Sequence, residues 1–153
     1  MARAVILLCG LFFIALSPYF VNAMTPEQKT MIKEHFEAIG MQCISDNPIT
    51  EADINDLRDK KPTSGPNVPC FMACVLRKIG VLDDSGMLQK ETLLELARKV
   101  FQDEEEIALI SDYLHSCAPV NSVAVTDGAK GCERAMLAYK CMNDNASQFG
   151  IDI

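Results

Sequence analysis

The chain has 153 residues, with 14 basic and 21 acidic side chains and a formal net charge of −7 at pH 7. This excess of acidic groups disfavours binding to nucleic-acid phosphates and adsorption to anionic membranes, because both need lysine and arginine. The length suits one domain, and 49% of the residues are hydrophobic, so the chain can form a core.

The first 23 residues have the pattern of a secretory signal peptide. Arg3 provides the positive start, residues 5–16 form an apolar run, and the Val-Asn-Ala at 21–23 offers a cleavage site. The run is shorter than the roughly 20 residues that a transmembrane helix needs, and no later segment approaches that length. We therefore expect a secreted chain, residues 24–153, in an oxidising compartment and without an integral membrane segment.

Two capping patterns open the predicted helical domain. Thr25 with Gln28, and Thr50 with Asp53, have the three-residue spacing of capping boxes, in which side chain and backbone at a helix start bond to each other. Apolar residues at helical spacing then give the first helix an inner face, formed by Ile32, Phe36, Ile39 and Cys43.

The third predicted helix follows Pro69 and stops at Gly80, a residue suited to the left-handed conformation after a helix. A turn over residues 81–88 leads into a fourth helix. The apolar residues of the fourth helix recur at helical spacing and are Leu93, Leu96, Ala97, Val100 and Phe101.

Asp103 is expected to cap a fifth helix, because three glutamates follow it in the first turn, where the helix dipole favours acidic groups. Pro119 should lead into a short apolar loop at residues 120–125, and Asp127 is expected to open a sixth helix. No strand pattern or internal repeat stands out. These elements predict one all-α domain of six helices.

Six cysteines follow the signal peptide, while Cys9 lies inside it, and an even set in a secreted chain indicates three disulfides. Cys70 and Cys74 lie one turn apart on one helix face, so a bond between them is disfavoured by disulfide geometry. Cys132 and Cys141 are nine residues apart and point in opposite directions from the sixth helix. Six cysteines allow 15 pairings. Such a layout ties helices to one another, which suits a protein that encloses a ligand more than it suits an enzyme.

The gaps between these cysteines are 26, 3, 42, 14 and 8 residues. The gaps of three and eight resemble the insect odorant-binding proteins, the six-cysteine pheromone and general odorant-binding family, over essentially the whole chain after the signal. The segments KIGVLDDSGML at 78–88 and KGCERA at 130–135 also look like that family. The chain lacks tryptophan and a long acidic C-terminal extension, so it is similar to the general or antennal-binding branch.

The resemblance implies six helices around an internal hydrophobic pocket and three disulfides, Cys43–Cys74, Cys70–Cys132 and Cys117–Cys141. It also places seven side chains against a ligand: Phe36, Met72, Leu76, Leu88, Leu114, Ala138 and Met142. Ordinary core packing is the alternative for these residues, because apolar residues at helical spacing are more often core than ligand contacts.

The C-terminal tail, residues 147–153, alternates apolar and other residues, with Phe149, Ile151 and Ile153 on one edge of an extended segment. We expect Phe149 and Ile151 to close over the ligand as a lid, and a frayed terminus is the alternative.

His115 is the candidate pH switch, because histidine changes charge near physiological pH. The alternative is a helix-end residue without a special role. Asn145 begins a glycosylation pattern that we do not expect to be occupied.

The function that the resemblance implies is transport of small hydrophobic odorants through sensillar lymph to odorant receptors. Removal of apolar surface from water could hold a volatile of about 10–16 carbons at micromolar strength without covalent chemistry. We expect a monomer or weak homodimer without cofactor or metal, and no enzyme. A secreted phospholipase would need a glycine-rich calcium loop and a His-Asp pair, and zinc binding would need reduced thiols. The open alternatives are a hydrophobic-ligand carrier or scavenger outside olfaction and a structural or immune secreted protein.

Overall fold

A computed structural model of the protein describes residues 25–150. The predicted signal peptide and Ile151 lie outside the described residues. Residues 25–150 form six α-helices and no β-strand, which confirms the predicted all-α class. The helices are α1 (Pro26–Ile44), α2 (Glu51–Arg58), α3 (Val68–Lys78), α4 (Glu91–Val100), α5 (Glu104–Ser116) and α6 (Cys132–Ala146).

The predicted caps at the first two helices are present as full capping boxes. The Thr25 hydroxyl accepts from the Gln28 backbone N–H at 3.2 Å, and Gln28 Oε1 accepts from the Thr25 N–H at 2.8 Å. Thr50 and Asp53 make the same reciprocal pair at 3.1 and 3.0 Å. Each box satisfies backbone donors that a helix start leaves unpaired, so these local patterns fix where the chain turns helical.

The start of α6 differs from the prediction. Asp127 does not begin the helix but is followed by a 3₁₀ turn, Gly128–Lys130, and by Gly131 with φ 68°. Asp127 Oδ2 nevertheless accepts from the backbone N–H groups of Cys132 at 2.6 Å and Glu133 at 3.1 Å. Asp127 therefore caps α6 from five residues upstream.

The apolar loop predicted at residues 120–125 is also partly regular. Ala118–Ser122 form a 3₁₀ helix, and Val120 within it is buried. The turn follows directly from the end of α5, because the Val120 N–H donates to the Cys117 carbonyl at 3.1 Å. Prolines suit the first turn of such a helix, and Pro119 occupies it here.

The core is arranged around α3, which packs between α1 and α6. Ala135 and Ala138 on α6 are fully buried, and their small side chains let α6 approach α3 closely. A second cluster joins α4 to α5 and receives Ile32 from α1, while Leu114 contacts both clusters. The second cluster is formed by Leu94, Ala97, Phe101 and Ile107.

Three disulfides fasten this arrangement: Cys43–Cys74, Cys70–Cys132 and Cys117–Cys141. They are the pairs that the resemblance implies. Neighbouring half-cystines on α3 reach different helices, α1 and α6, and the two cysteines of α6 serve opposite sides of that helix. Each bridge contributes roughly 2–4 kcal/mol to stability by restricting the unfolded chain.

Candidate ligand-binding cleft

An open cleft of about 220 Å³ lies where the segment before α4 faces the ends of α5 and α6. We call it the cleft. Its wall combines apolar and polar side chains. The residues that line it are Val81, Leu88, Gln89, Lys90, Glu91, Leu114, His115, Cys117, Ala118 and Met142.

The segment that carries Leu88 is shaped by a tight turn built on Asp83. The Asp83 carboxylate accepts from the Ser85 hydroxyl at 2.6 Å and from the backbone N–H groups of Ser85 and Met87, each at 2.9 Å. These bonds, the Ser85 hydroxyl foremost, hold the pKa of Asp83 below its usual range. Gly86 completes the turn at φ 78°, a conformation that favours glycine. The turn thereby directs Leu88 back towards Leu82, which it faces in an isolated antiparallel bridge.

Asn121 joins this segment to the 3₁₀ helix. Its Oδ1 accepts from the Leu88 N–H at 2.8 Å, and its Nδ2 donates to the Leu88 carbonyl at 3.0 Å. Arg134 of α6, only 6% exposed, donates from Nη1 to the carbonyl of Val120 at 2.5 Å. Residues from three parts of the chain therefore set the position of Leu88.

Polar side chains of the cleft lie at the start of α4. Lys90 Nζ donates to Ser111 Oγ of α5 at 3.0 Å, and the Lys90 backbone N–H donates to Glu91 Oε2 at 3.0 Å. Backbone hydrogen bonds from Glu91's own N–H and from that of Lys90 lower the pKa of Glu91. Gln89 Oε1 accepts from the Glu91 N–H at 3.0 Å. The backbone at the start of α4 thus stabilises the Glu91 carboxylate, while the ammonium of Lys90 is bonded to the neutral hydroxyl of Ser111.

Four of the sequence-predicted residues come together at the cleft. Leu88, Leu114 and Met142 form part of its wall, and His115 lies at the same site, exposed at the end of α5. These residues are spread over more than fifty positions in the sequence, and three separate elements bring them together.

The other predicted contacts lie elsewhere. Met72, Leu76 and Ala138 are buried in the core formed around α3 and α6, and none of them lines the cleft. Phe36 is 38% exposed on α1 and is also absent from the lining. Contact of these four residues with a ligand therefore stays a prediction, and they do not belong to the wall of the cleft.

The described part of the tail is not extended. Ser147–Phe149 form a 3₁₀ turn, and Gly150 follows at φ 65°. The Phe149 ring packs edge-on against Tyr113 with centroids 5.6 Å apart. Tyr113 in turn donates from its hydroxyl to the Met142 carbonyl at 2.8 Å, and burial raises its pKa to about 12. Phe149 therefore lies one residue removed from the cleft rather than in its wall, and the predicted alternation does not hold over residues 147–150.

Sequence reasoning missed Asn121, Lys90 and Arg134. A signal existed for Arg134, because it lies four residues before Ala138 and so shares the buried face of α6. Asn121 and Lys90 gave no local signal, since their roles depend on Leu88 and Ser111, 33 and 21 residues away in the chain.

Two further observations concern residues 25–150 alone. None of the helices there is long and apolar enough to span a bilayer. Nor do the histidines, cysteines and acidic residues of that range form a group of three or more that could hold a metal ion.

Comparison with known proteins matches residues 25–145 to the PBP/GOBP family. General odorant-binding protein 28a of Drosophila melanogaster is 28% identical over 110 residues, covering 71% of this chain and 73% of the relative. The solved structure of Drosophila melanogaster odorant-binding protein dmelOBP28a has a TM-score of 0.60 at 25% identity, covering 82% of this chain and 99% of that one.

A second solved structure, the fatty acid binding protein OBP56a from the oral disk of the blowfly Phormia regina, has a TM-score of 0.50 at 27% identity. It covers 82% of this chain and 96% of the blowfly chain. Proteins of this family bind and carry small hydrophobic molecules and are not enzymes. The chain therefore belongs to the PBP/GOBP family of insect odorant-binding proteins.

Proposed function

We propose that this protein is secreted, holds a small hydrophobic molecule in the cleft, and carries odorants through sensillar lymph to receptors. The observation that carries the proposal is the convergence of Leu88, Leu114 and Met142 on one cleft in a chain of this family. Removal of apolar surface from water, worth roughly 25 cal/mol per Å², supplies the driving force without covalent chemistry.

The size of the cleft limits the ligand. At about 30 Å³ for each water-sized group, 220 Å³ holds about seven such groups. A ligand of 10–16 carbons, the range expected from the sequence, therefore exceeds the cleft unless wall residues move. Met142 is suited to such movement, because methionine is unbranched and adapts to irregular space.

The same size limits the affinity. A Kd of about 1 µM corresponds to about 8.2 kcal/mol. A ligand of about seven heavy atoms would then need more than about 1 kcal/mol from each atom, close to the known ceiling of about 1.5. We therefore expect compact ligands to bind with a Kd of about 10–100 µM.

The other predicted residues take secondary roles in this proposal. Met72, Leu76 and Ala138 would reach a ligand only through a deepening of the cleft into the core. Phe149 and Ile151 belong to the proposed lid, for which the contact of Phe149 with Tyr113 beside Met142 gives support. His115 at the rim is the proposed pH-responsive group, and its exposure gives protons access to it.

Competition with a fluorescent apolar probe tests the proposal. A panel of medium-chain alcohols, aldehydes, esters and aromatic volatiles should displace the probe, and failure of every compound below about 100 µM would refute the carrier function. The blowfly relative, a fatty acid binding protein of the oral disk, supports an apolar-chain ligand and favours a carrier outside olfaction as the second candidate. Mapping of expression to olfactory sensilla or to other tissue separates the two.

A further inference from the structure

We propose that the cleft selects ligands with a carboxylate head group, which the ammonium of Lys90 binds at the rim while the apolar chain lies against Leu88, Leu114 and Met142. This inference rests on the proposed function and adds to it the chemical class of the ligand. Its starting point is the presence of a lysine among the residues that line the cleft beside Leu88, Leu114 and Met142.

Lys90 is held in place by a neutral partner and lies near one acid, since backbone hydrogen bonds and, after them, the charge of Lys90 lower the pKa of Glu91. Its Nζ is partly buried and donates to Ser111 Oγ at 3.0 Å, a neutral acceptor on α5. Among residues 25–150 none of the ion pairs involves Lys90. An ammonium has three N–H donors, so two are available for the oxygens of a ligand after the bond to Ser111. The bond to Ser111 of α5 restricts the Lys90 side chain, and this reduces the entropy lost when a ligand binds.

Glu91 is the group that opposes this proposal, because it lines the same cleft and carries a negative charge. Its carboxylate, however, accepts the Lys90 backbone N–H at 3.0 Å and lies in the first turn of α4, where the helix dipole favours an acid. Its charge is therefore partly compensated by the backbone. The ammonium of Lys90 remains as the cation that can meet a ligand oxygen.

The net charge of −7 repels anions at long range. Screening limits that repulsion, since the Debye length at physiological ionic strength is about 8 Å. Contacts inside the cleft are much closer than this, so the local ammonium decides which head group binds. A carboxylate carries a full negative charge, so beyond the hydrogen bond it gains a Coulomb attraction to the ammonium that a hydroxyl lacks.

Octanoate and octanol form a suitable pair of probes, because they share their chain length and differ in the head group. With the head of octanoate at the rim, its seven apolar carbons match the roughly seven water-sized groups that the cleft holds. We expect wild-type protein to bind octanoate about tenfold more tightly than octanol near neutral pH.

Lys90→Met keeps the length of the side chain and removes the charge, so octanoate affinity should fall by about tenfold and the preference over octanol should be lost. Lys90→Arg should retain a preference for octanoate. Lys99→Met, which removes a charge from the exposed face of the same helix, should behave as wild type for both ligands.

Competition with one fluorescent probe measures all of these affinities. Equal binding of octanoate and octanol to wild type, or an equal loss of both in Lys90→Met, would overturn the carboxylate inference while leaving the carrier function standing. Displacement of the probe by neither compound would overturn the carboxylate inference, and failure of the whole panel of volatiles as well would overturn the carrier function.

Discussion

The side-chain amide of Asn121 pairs with both backbone groups of Leu88, as a neighbouring β-strand would. Oδ1 accepts the Leu88 N–H at 2.8 Å, and Nδ2 donates to the Leu88 carbonyl at 3.0 Å. A single side chain thus fixes one wall of the cleft to the 3₁₀ helix after α5.

Asn121→Ala should therefore loosen this wall. It leaves two partly buried backbone groups of Leu88 unpaired, each at a cost of about 1–3 kcal/mol unless water replaces the amide. We expect a lower urea midpoint and weaker probe binding. Ser122→Ala, at the exposed neighbouring position, is the control and should change neither. If Asn121→Ala binds the probe as tightly as wild type, the hydrogen bonds between Asn121 and Leu88 do not shape the cleft.

The turn on Asp83 should make stability sensitive to acid. Hydrogen bonds lower the pKa of Asp83 in the folded state below its usual value of 3.8. A depressed pKa means that the carboxylate stabilises the fold fully above the unfolded-state pKa, and that this contribution is lost as the pH falls through the folded-state pKa. Urea midpoints of wild type should accordingly drop more steeply in acid than those of Asp83→Asn. Asp84→Asn, at the exposed neighbouring residue, should show the same fall in urea midpoint at acidic pH as wild type. Parallel curves for wild type and Asp83→Asn would contradict this account.

The Cys70–Cys132 bridge should be a main support of α6. Replacing both cysteines by alanine removes the bridge without leaving a free thiol, and should lower the free energy of unfolding by about 2–5 kcal/mol. Denaturant titration under oxidising conditions measures this loss. Peptide mapping of the unreduced wild type should recover the three pairs of the structure. A Cys70–Cys74 peptide would contradict the arrangement.

Asn145 should remain unglycosylated although it begins an Asn-Ala-Ser pattern. Its Nδ2 donates to Ser116 Oγ at 3.0 Å and lies 3.5 Å from Cys141 Sγ, inside α6. A glycan on that nitrogen would break the bond to Ser116 and crowd the Cys117–Cys141 disulfide. Protein secreted from insect cells should have the intact mass of the bare chain, and a mass excess that a glycosidase removes would refute this.

The sequence predicted best those features that depend on neighbouring residues. Thr25 and Thr50 begin helices because each cap is satisfied within three residues. Asp127 caps α6, the helix that the sequence predicts for it, but it does not begin that helix. A 3₁₀ turn and Gly131 separate it from the backbone that it caps. Helical periodicity cannot predict the departure of the tail from an extended segment, which arises from the 3₁₀ turn before Gly150.

The candidate site was only partly predictable, because contacts between distant parts of the chain leave no local pattern in the sequence. Leu88, Leu114 and Met142 were available through the family resemblance, which carries information on how distant segments meet. Lys90 and Asn121 act through partners on other elements, Ser111 and Leu88, so no pattern of spacing identifies them. A buried core residue such as Met72 and a cleft residue such as Met142 have the same helical periodicity, and only the packing of the helices distinguishes them.

The central claim is that the ligand occupies the cleft, and filling the cleft tests this most directly. Ala118 lines it at the start of the 3₁₀ helix that follows α5, so Ala118→Phe places a ring in the space that the ligand needs. Ala108→Phe, on the exposed surface of α5, is the matched control. With circular dichroism and urea midpoints showing that both variants fold, Ala118→Phe should lose at least about tenfold in octanol affinity, equivalent to about 1.4 kcal/mol, while Ala108→Phe binds as wild type. Unchanged octanol affinity in folded Ala118→Phe would contradict the account and place the ligand elsewhere.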